Sequence, residues 1–125
     1  MTENIAEAYK IFKEGHDEFG DLLVIDKDAE ILFKTDNISF DKSVCKIILD
    51  AWMEHQGSMI IDEIRYTILK SEPFQLAALK PGSGKSIVGS ITKKGNYGIA
   101  FLTGGGANSL IVSSVLLNKW IWELI

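Results

Sequence analysis

The stretch that decides the fold is Arg65-Tyr-Thr-Ile-Leu-Lys-Ser-Glu-Pro73, followed by Phe74-Gln-Leu-Ala-Ala-Leu-Lys80, by Pro81-Gly-Ser-Gly-Lys-Ser-Ile-Val-Gly-Ser-Ile-Thr92 and by Lys93-Lys-Gly-Asn-Tyr-Gly-Ile-Ala-Phe-Leu102. Each apolar run is bounded by Gly, Pro, Ser, Asn or Lys, which is typical of strands joined by turns. Parallel strands need crossover connections of about a dozen residues, and no connection here is that long. The stretch therefore predicts a four-stranded antiparallel meander in the middle of the fold.

Before the meander, the chain predicts a helix and a β-hairpin. Apolar residues at helical spacing indicate a first helix over 2–14. Two apolar runs, 22–25 and 30–34, flank a tip at 26–29 that is rich in Asp and Lys. A polar tip between two such runs is typical of a β-hairpin.

A second helix is predicted between this hairpin and the meander. Ser39 or Asp41 is its N-cap, because a side-chain oxygen there can accept hydrogen bonds from the free N–H groups of the first turn. The apolar pattern continues to about His55, and Gly57 is expected to close the helix. A short strand over 59–61 then leads into the meander.

The end of the chain predicts a third helix, over about 109–124, that is apolar around most of its circumference. Other elements must cover such a helix, so we expect it to lie across the sheet beside the first helix. Trp52, Trp120 and Trp122 all fall on apolar helix faces, and we expect at least two of them to be largely buried. The predicted class is α+β, with one domain over 1–125.

The composition is that of an ordinary globular domain, since 125 residues suffice for one core. The net charge of −4 gives no general reason to expect nucleic acid as a partner. Cys45 is the only cysteine, and we expect it to be a small buried residue. We expect an intracellular protein, because no apolar run approaches the roughly 18 residues of a membrane span and Met-Thr-Glu-Asn does not resemble a signal peptide.

Two glycine-rich motifs are candidates for anion sites. Residues 82–86 end like a phosphate loop, but that motif needs a glycine where Leu79 stands and a helix directly after its lysine. The glycines at 104–106 precede a helix and could present N–H groups to an anion, although such glycines more commonly form a flexible join. The two histidines are far apart in the sequence and have no paired ligands, so no metal site is predicted. No Ser or Cys has a nearby His and an orienting acid, so no enzyme is predicted.

In element order, in length and in one long run of residues, the chain resembles a profilin, the small actin-monomer-binding protein. The run is Arg65-Tyr-Thr-Ile-Leu…Glu72-Pro73…Lys80-Pro-Gly-Ser-Gly84…Ile91-Thr-Lys-Lys-Gly-Asn96…Ile99-Ala-Phe-Leu102. Profilins commonly carry a basic-aromatic strand start, a glycine-rich hairpin and a Thr-Lys-Lys hairpin in this order, before a C-terminal helix that covers the sheet. The archaeal profilins of organisms with eukaryote-like actins are the closer model.

The resemblance implies a profilin-like α+β fold, with N- and C-terminal helices on one face of a central antiparallel sheet and a helix on the other. It also implies a cytoplasmic protein of the cytoskeleton, with actin monomers as its partner and no cofactor. Actin would bind the strands of the second half, the second helix and the start of the last helix. By position, the actin-facing residues are Arg65, Thr67, Leu69, Lys70, Lys80, Lys85, Asn108 and Val112.

The alternation of side chains along a strand predicts which of these residues share a face of the sheet. Arg65, Thr67 and Leu69 are expected on one face of the sheet, while Tyr66 and Ile68 point to the other. One face would then be buried, and the other would be free to bind or would simply be solvated.

Two further ligands follow from the resemblance. Phosphoinositide lipids would bind a local positive patch formed by Lys80, Lys85, Lys93 and Lys94 in two hairpin tips. Polyproline is doubtful, because the second-strand aromatic position reads Leu32 and the N-terminal Trp-x-x-Tyr is absent. The aromatic residues that could substitute are Tyr9, Phe12, Trp120 and Trp122, although packing of helices on the sheet explains them equally well.

The alternative interpretation is a roadblock or light-chain type of domain, which has nearly the same element order. Such domains act as dimeric scaffolds or small-GTPase regulators. The long meander with two lysine-bearing hairpins favours the profilin, and we therefore expect a monomer.

Overall fold

The computed structural model describes residues 2–103 and 107–123, with the side chains of 5–103 and 110–123. In chain order the elements are α1 (Thr2–Glu14), β1 (Phe19–Ile25), β2 (Ile31–Lys34), α2 (Lys42–Met53), β3 (Ser58–Ile61), β4 (Ile64–Glu72), β5 (Gln75–Leu79), β6 (Lys85–Ile91), β7 (Tyr97–Thr103) and α3 (Ala107–Ile121). This is the predicted order of elements.

The strands form one antiparallel sheet in the order β2-β1-β7-β6-β5-β4-β3. The predicted meander is confirmed, because β4, β5, β6 and β7 are neighbours in sequence order. Strand β3 extends it by one hairpin, whose turn residues Asp62 and Glu63 both have positive φ angles (51° and 68°). Two such residues are typical of the tight turn that matches the twist of a hairpin.

Each face of the sheet is covered by its own hydrophobic core. In β1, Leu23 and Ile25 pack with α2 around Trp52. The alternate residues Leu22 and Val24 pack with α1 and α3. Because successive side chains of a strand point to opposite faces, α1 and α3 share one face and α2 lies on the other. The predicted arrangement of helices is therefore confirmed.

Helix α2 begins as predicted but ends early. The carboxylate of Asp41 caps it by accepting hydrogen bonds from two N–H groups of the first turn. The helix ends at Met53, and His55 rather than Gly57 takes the left-handed conformation after it (φ 54°). The imidazole Nδ1 of His55 lies 2.9 Å from the carbonyl oxygen of Ser71, which ties this turn to β4.

The three tryptophans differ in burial. Trp52 is fully buried, and its Nε1 donates a hydrogen bond to the carbonyl oxygen of Glu72 at 2.6 Å. Trp120 is only partly buried against α1, and Trp122 is 41% exposed. Trp52 and Trp120 are thus mainly buried, in line with the expectation for two of the three, whereas Trp122 is exposed because the C-terminal part of α3 covers the sheet with Leu117 and Ile121.

Cys45 is buried in α2, as predicted, and burial together with the charge of Asp41 raises the pKa of its thiol. Among residues 2–103 and 107–123, no helix is both long enough and apolar enough to cross a membrane.

Candidate functional site

A β-bulge in β4 sets the direction of its side chains. Thr67 lies opposite Leu79 and Ile68 opposite Ala78, but Lys70 lies opposite Ala77, so Leu69 is an extra residue. The predicted alternation thus holds for the first part of the strand, and the extra residue interrupts it at Leu69. Residues opposite each other across two strands share a face. Lys70, rather than Leu69, continues the face of Thr67.

This face belongs to the side of α1 and α3, since Ala77 and Leu79 pack in that core. Helix α3 lies over β5 and β6, which leaves the outer strands β4 and β3 uncovered beside it. Ile60 of β3 lies opposite Arg65 of β4, and both side chains are exposed. Tyr66 and Ile68 pack against the α2 core, as predicted.

Helix α3 borders this uncovered area with apolar side chains. Ile111, Val112 and Val115 are all exposed, and Val112 is 59% exposed. Ile111 and Val115 are four residues apart and so lie one above the other on the helix. We call the whole area the β4–α3 surface and define it by Ile60, Arg65, Thr67, Lys70, Ile111, Val112 and Val115.

The charges around the β4–α3 surface are mostly basic. The Nη1 of Arg65 donates a hydrogen bond to the Oγ of Ser58 at 3.1 Å. The Nζ of Lys70 lies 3.3 Å from the Oε1 of Glu72, and both side chains are partly exposed. An exposed pair of this kind contributes little to stability, so Lys70 is free to exchange this partner for another.

Two more lysines stand in a turn at one end of the sheet. Lys80 and Lys85 flank the β5–β6 turn, in which Gly82 and Gly84 have positive φ angles. Lys85 lies opposite Thr103, the last residue of β7 before α3. Neither lysine has an ion-pair partner among the side chains described. The turn therefore carries two unpaired cations close to the N-terminal end of α3.

The structure brings half of the eight predicted actin-facing residues together. Arg65, Thr67, Lys70 and Val112 lie on the β4–α3 surface. Lys85 precedes Ser86, which is on the α1/α3 face, so Lys85 alternates to the α2 face of the sheet, with Lys80 beside it in the β5–β6 turn. Leu69 is exposed at the bulge. The side chain of Asn108, like the glycines at 104–106, lies outside the described residues.

Comparisons with known proteins identify the family. No family model matches the chain. Loki profilin-3 of Lokiarchaeum sp. (strain GC14_75) is 38% identical over 109 residues, which cover 86% of this chain and 88% of that protein. The chain belongs to the profilin family. This confirms the resemblance seen in the sequence.

Solved structures show the same fold for this profilin. The chain is similar to the LokiProfilin2 chain of a complex with rabbit actin, with a TM-score of 0.79, 18% identity and full coverage of both chains. LokiProfilin1 gives a TM-score of 0.79 at 17% identity, again over both whole chains. Profilin IB of Acanthamoeba castellanii gives 0.67 at 10% identity, over 86% of this chain and 88% of that one.

Family membership also decides two sequence-based expectations. Profilins are actin-binding proteins without enzymatic activity, so this profilin is not an enzyme. The roadblock alternative is not favoured. Among the described side chains, no group of three or more His, Cys, Asp or Glu residues could hold a metal ion.

The four lysines of the predicted lipid site do not form one patch in this profilin. Lys80 and Lys85 flank the turn before β6, whereas Lys93 and Lys94 follow β6 in the next turn. A strand of seven residues spans about 20 Å, so the two pairs stand at opposite ends of the sheet. Lys93 also lies 3.9 Å from the carboxylate of Glu123.

The aromatic residues of the two terminal helices are largely used for packing. Tyr9 is 1% exposed, and its hydroxyl donates a hydrogen bond to the carbonyl oxygen of Gly20 at 2.9 Å. Phe12 stacks on Trp120 at 5.1 Å and on His16 at 4.3 Å between ring centroids. Tyr9 cannot contribute to an exposed platform, which agrees with the doubt about polyproline.

Sequence reasoning missed a groove beside the C-terminal end of α3. It has a volume of about 610 Å³ and is lined by Pro73, Phe74, Ile91, Asn118, Lys119 and Trp122. Phe74 is 54% exposed because it lies in the β4–β5 turn rather than in a strand. The signal was present, since the preceding Pro73 favours a turn and a turn leaves a bulky residue outside the core.

Proposed function

We propose that this profilin binds actin monomers through the β4–α3 surface and thereby regulates actin polymerisation. The observation that carries the proposal is the exposed apolar border of α3 beside the cations of β4. Family membership supports it, because Loki profilin-3 is a relative at 38% identity. The solved structures with similar folds include LokiProfilin1 and LokiProfilin2, each in a complex with rabbit actin.

The chemistry of the surface suits an acidic protein partner such as actin. Ile111, Val112 and Val115 offer apolar area along the α3 border of this surface, and burial of such area would supply much of the affinity. Arg65 and Lys70 lie beside them and can meet carboxylates of the partner. Basic groups at the rim of an interface speed encounter and fix orientation more than they add affinity.

Leu69, Lys80, Lys85 and Asn108 are proposed as further contacts of the same interface. Leu69 protrudes at the bulge between Ile68 and Lys70 and is 45% exposed. Lys80 and Lys85 would act by long-range attraction from the β5–β6 turn, which depends on ionic strength. The position of Asn108 rests on the family resemblance alone.

Regulation would follow from mass action. A monomer held in a complex is withdrawn from the pool that adds to filaments, so the extent of polymerisation falls as the profilin concentration exceeds the dissociation constant. A cytoplasmic location with the cytoskeleton follows from this proposed role.

The direct experiment mixes the purified protein with rabbit muscle actin monomers. Light scattering should show slower and less extensive polymerisation with increasing profilin, and sedimentation velocity should show a one-to-one complex. The same run without actin measures the oligomeric state, for which we expect a monomer. No complex with any eukaryotic or archaeal actin would refute the proposal.

Phosphoinositide binding stays a prediction, but the expected site is now two separate positions and not one. Two separate lysine pairs replace the single patch, and each lysine near an anionic surface contributes about 1 kcal/mol. Each pair alone would therefore support only weak, salt-sensitive binding. Polyproline binding is not proposed.

A further inference from the structure

The groove beside the C-terminal end of α3 is built around two exposed aromatic side chains, Phe74 and Trp122. The Nδ2 of Asn118 donates a hydrogen bond to the carbonyl oxygen of Ile91 at 3.3 Å, which joins α3 to the sheet beside the groove. Lys119 stands among the lining residues as a charged group. The groove is thus apolar with a cationic border.

The groove continues the β4–α3 surface along one flank of α3. At 100° per residue, positions 111, 115 and 122 fall within about 40° of one another around the helix axis. Trp120, which contacts Tyr9 and Phe12 of α1, lies on the opposite flank. The flank with Trp122 therefore faces away from α1, on the side of β4.

Strand β4 also connects the β4–α3 surface to this groove. It carries Thr67 and Lys70 on this face and ends at Glu72, directly before the Pro73–Phe74 turn that lines the groove. Along α3, the distance from Ile111 to Trp122 is about 16 Å. The predicted contacts lie toward the N-terminal end of α3, and the groove lies at its other end.

We propose that the actin interface extends into this groove, with Trp122 and Phe74 as its second anchor; the inference rests on the proposed function. A standard interface uses about 20–30 residues on each side, whereas eleven are proposed above for this one. The groove is the adjoining apolar area. Aromatic side chains in partly enclosed positions, tryptophan above all, often dominate binding energy.

The occupant that fits is an apolar side chain of actin, with an actin carboxylate near Lys119. We expect Trp122→Ala and Phe74→Ala each to raise the dissociation constant for rabbit actin by about tenfold or more. The matched control is Ile11→Ala, because Ile11 is 62% exposed on α1, away from this surface. The control should bind within about twofold of the wild type.

A second measurement does not depend on substitutions that alter packing. Tryptophan in the profilin is replaced by 5-fluorotryptophan, and the ¹⁹F signal of Trp122 is assigned with the Trp122→Phe variant. Unlabelled actin should shift or broaden this signal, while the signal of the fully buried Trp52 stays in place.

The outcomes separate the inference from the proposed function. Wild-type binding with an unshifted Trp122 signal, or with unchanged affinity in both aromatic variants, would overturn the inference and leave the proposed function intact. Failure of the wild type to bind actin would overturn both. Loss of affinity in the two variants, with the control unchanged and the Trp122 signal shifted, would support the inference.

Discussion

Lys70 lies directly opposite Ala77 across the β4–β5 pair, a position that an unbroken strand would give to its neighbour Leu69. The extra residue turns Lys70 onto the face of Thr67, beside the exposed border of α3. Bulges often redirect a side chain at a functional site. Here the redirected side chain is a cation on the proposed actin interface, where Glu72 holds it in a weak ion pair.

The first prediction reverses this charge. Lys70→Glu should weaken actin binding by about 1–2 kcal/mol, or about 5- to 30-fold, because an attraction becomes a repulsion at a partly buried site. The folded state should lose little stability, although the new carboxylate stands near Glu72. Binding of rabbit actin is measured by sedimentation velocity, with circular dichroism as the check on folding.

The control for that experiment is Lys27→Glu. Lys27 is exposed in the β1–β2 turn, so Lys27→Glu makes the same charge change at a position away from the interface. Equal weakening by both variants would mean that only net charge matters, and the site would then lie elsewhere.

The second prediction concerns lipids. Because the lysine pairs stand at opposite ends of β6, Lys80→Gln/Lys85→Gln and Lys93→Gln/Lys94→Gln should each remove a separate, additive share of any binding to phosphoinositide vesicles. Co-sedimentation at low salt and at about 0.3 M salt measures both shares. Complete loss in either double variant alone would show that one end carries the whole site.

The third prediction is negative. Wild-type protein should not bind a polyproline peptide, because Tyr9 is buried with its hydroxyl bonded to Gly20 and Leu32 replaces an aromatic residue. Trp120 is a partly buried aromatic residue of that region, and its fluorescence would report binding. A saturable change on addition of polyproline, absent in Trp120→Leu, would contradict the expectation.

Local chemistry made much of the fold predictable from the sequence. The tip of the first hairpin forms as expected, because the Oδ1 of Asp26 accepts hydrogen bonds from the N–H groups of Asp28 and Glu30. The helix cap formed by Asp41 and the order of strands in the meander were predictable from equally local features of the sequence. The assignment of residues to the two faces of the sheet was predictable because side chains alternate between faces along strands such as β1.

The remaining features depend on tertiary contacts. Nothing in the residues around Leu69 marks a bulge, because the extra residue is fixed by the register of the pairing with β5. The end of α2 is set by His55, whose imidazole contacts β4 across the fold. The sequence places Trp122 on an apolar helix face, like Trp52 and Trp120, but does not indicate which of the three is exposed; its position on the helix turns it outward.

The fourth prediction tests packing beneath α2. A Cβ atom at Gly89 would lie 2.8 Å from Cζ3 and 2.9 Å from Cη2 of Trp52, closer than real contacts allow. Gly89→Ala should therefore reduce the free energy of unfolding by about 1–3 kcal/mol, measured by urea unfolding. Gly57→Ala is the control, since nothing lies within 4 Å of its Cβ position. A loss of similar size in both variants would show that the contact with Trp52 is not the cause.

The last prediction concerns Tyr9 at high pH. Burial, first, and the charge of Asp21 raise the pKa of its phenol above the ordinary value of 10.0. Above pH 10 the unfolded chain therefore releases a proton that the folded protein keeps. The free energy of unfolding consequently falls as the pH rises through this range.

Tyr9→Phe isolates this effect. At pH 7 the variant should be less stable than the wild type by about 0.5–1.5 kcal/mol, because the hydrogen bond to Gly20 is lost. Above pH 10 this difference should shrink by up to about 1.4 kcal/mol per pH unit, since phenylalanine does not ionise. Other groups titrate alike in both proteins and cancel in the comparison. Urea unfolding between pH 7 and pH 11 measures the difference, and a gap that stays constant or widens would show that Tyr9 ionises normally in the folded protein.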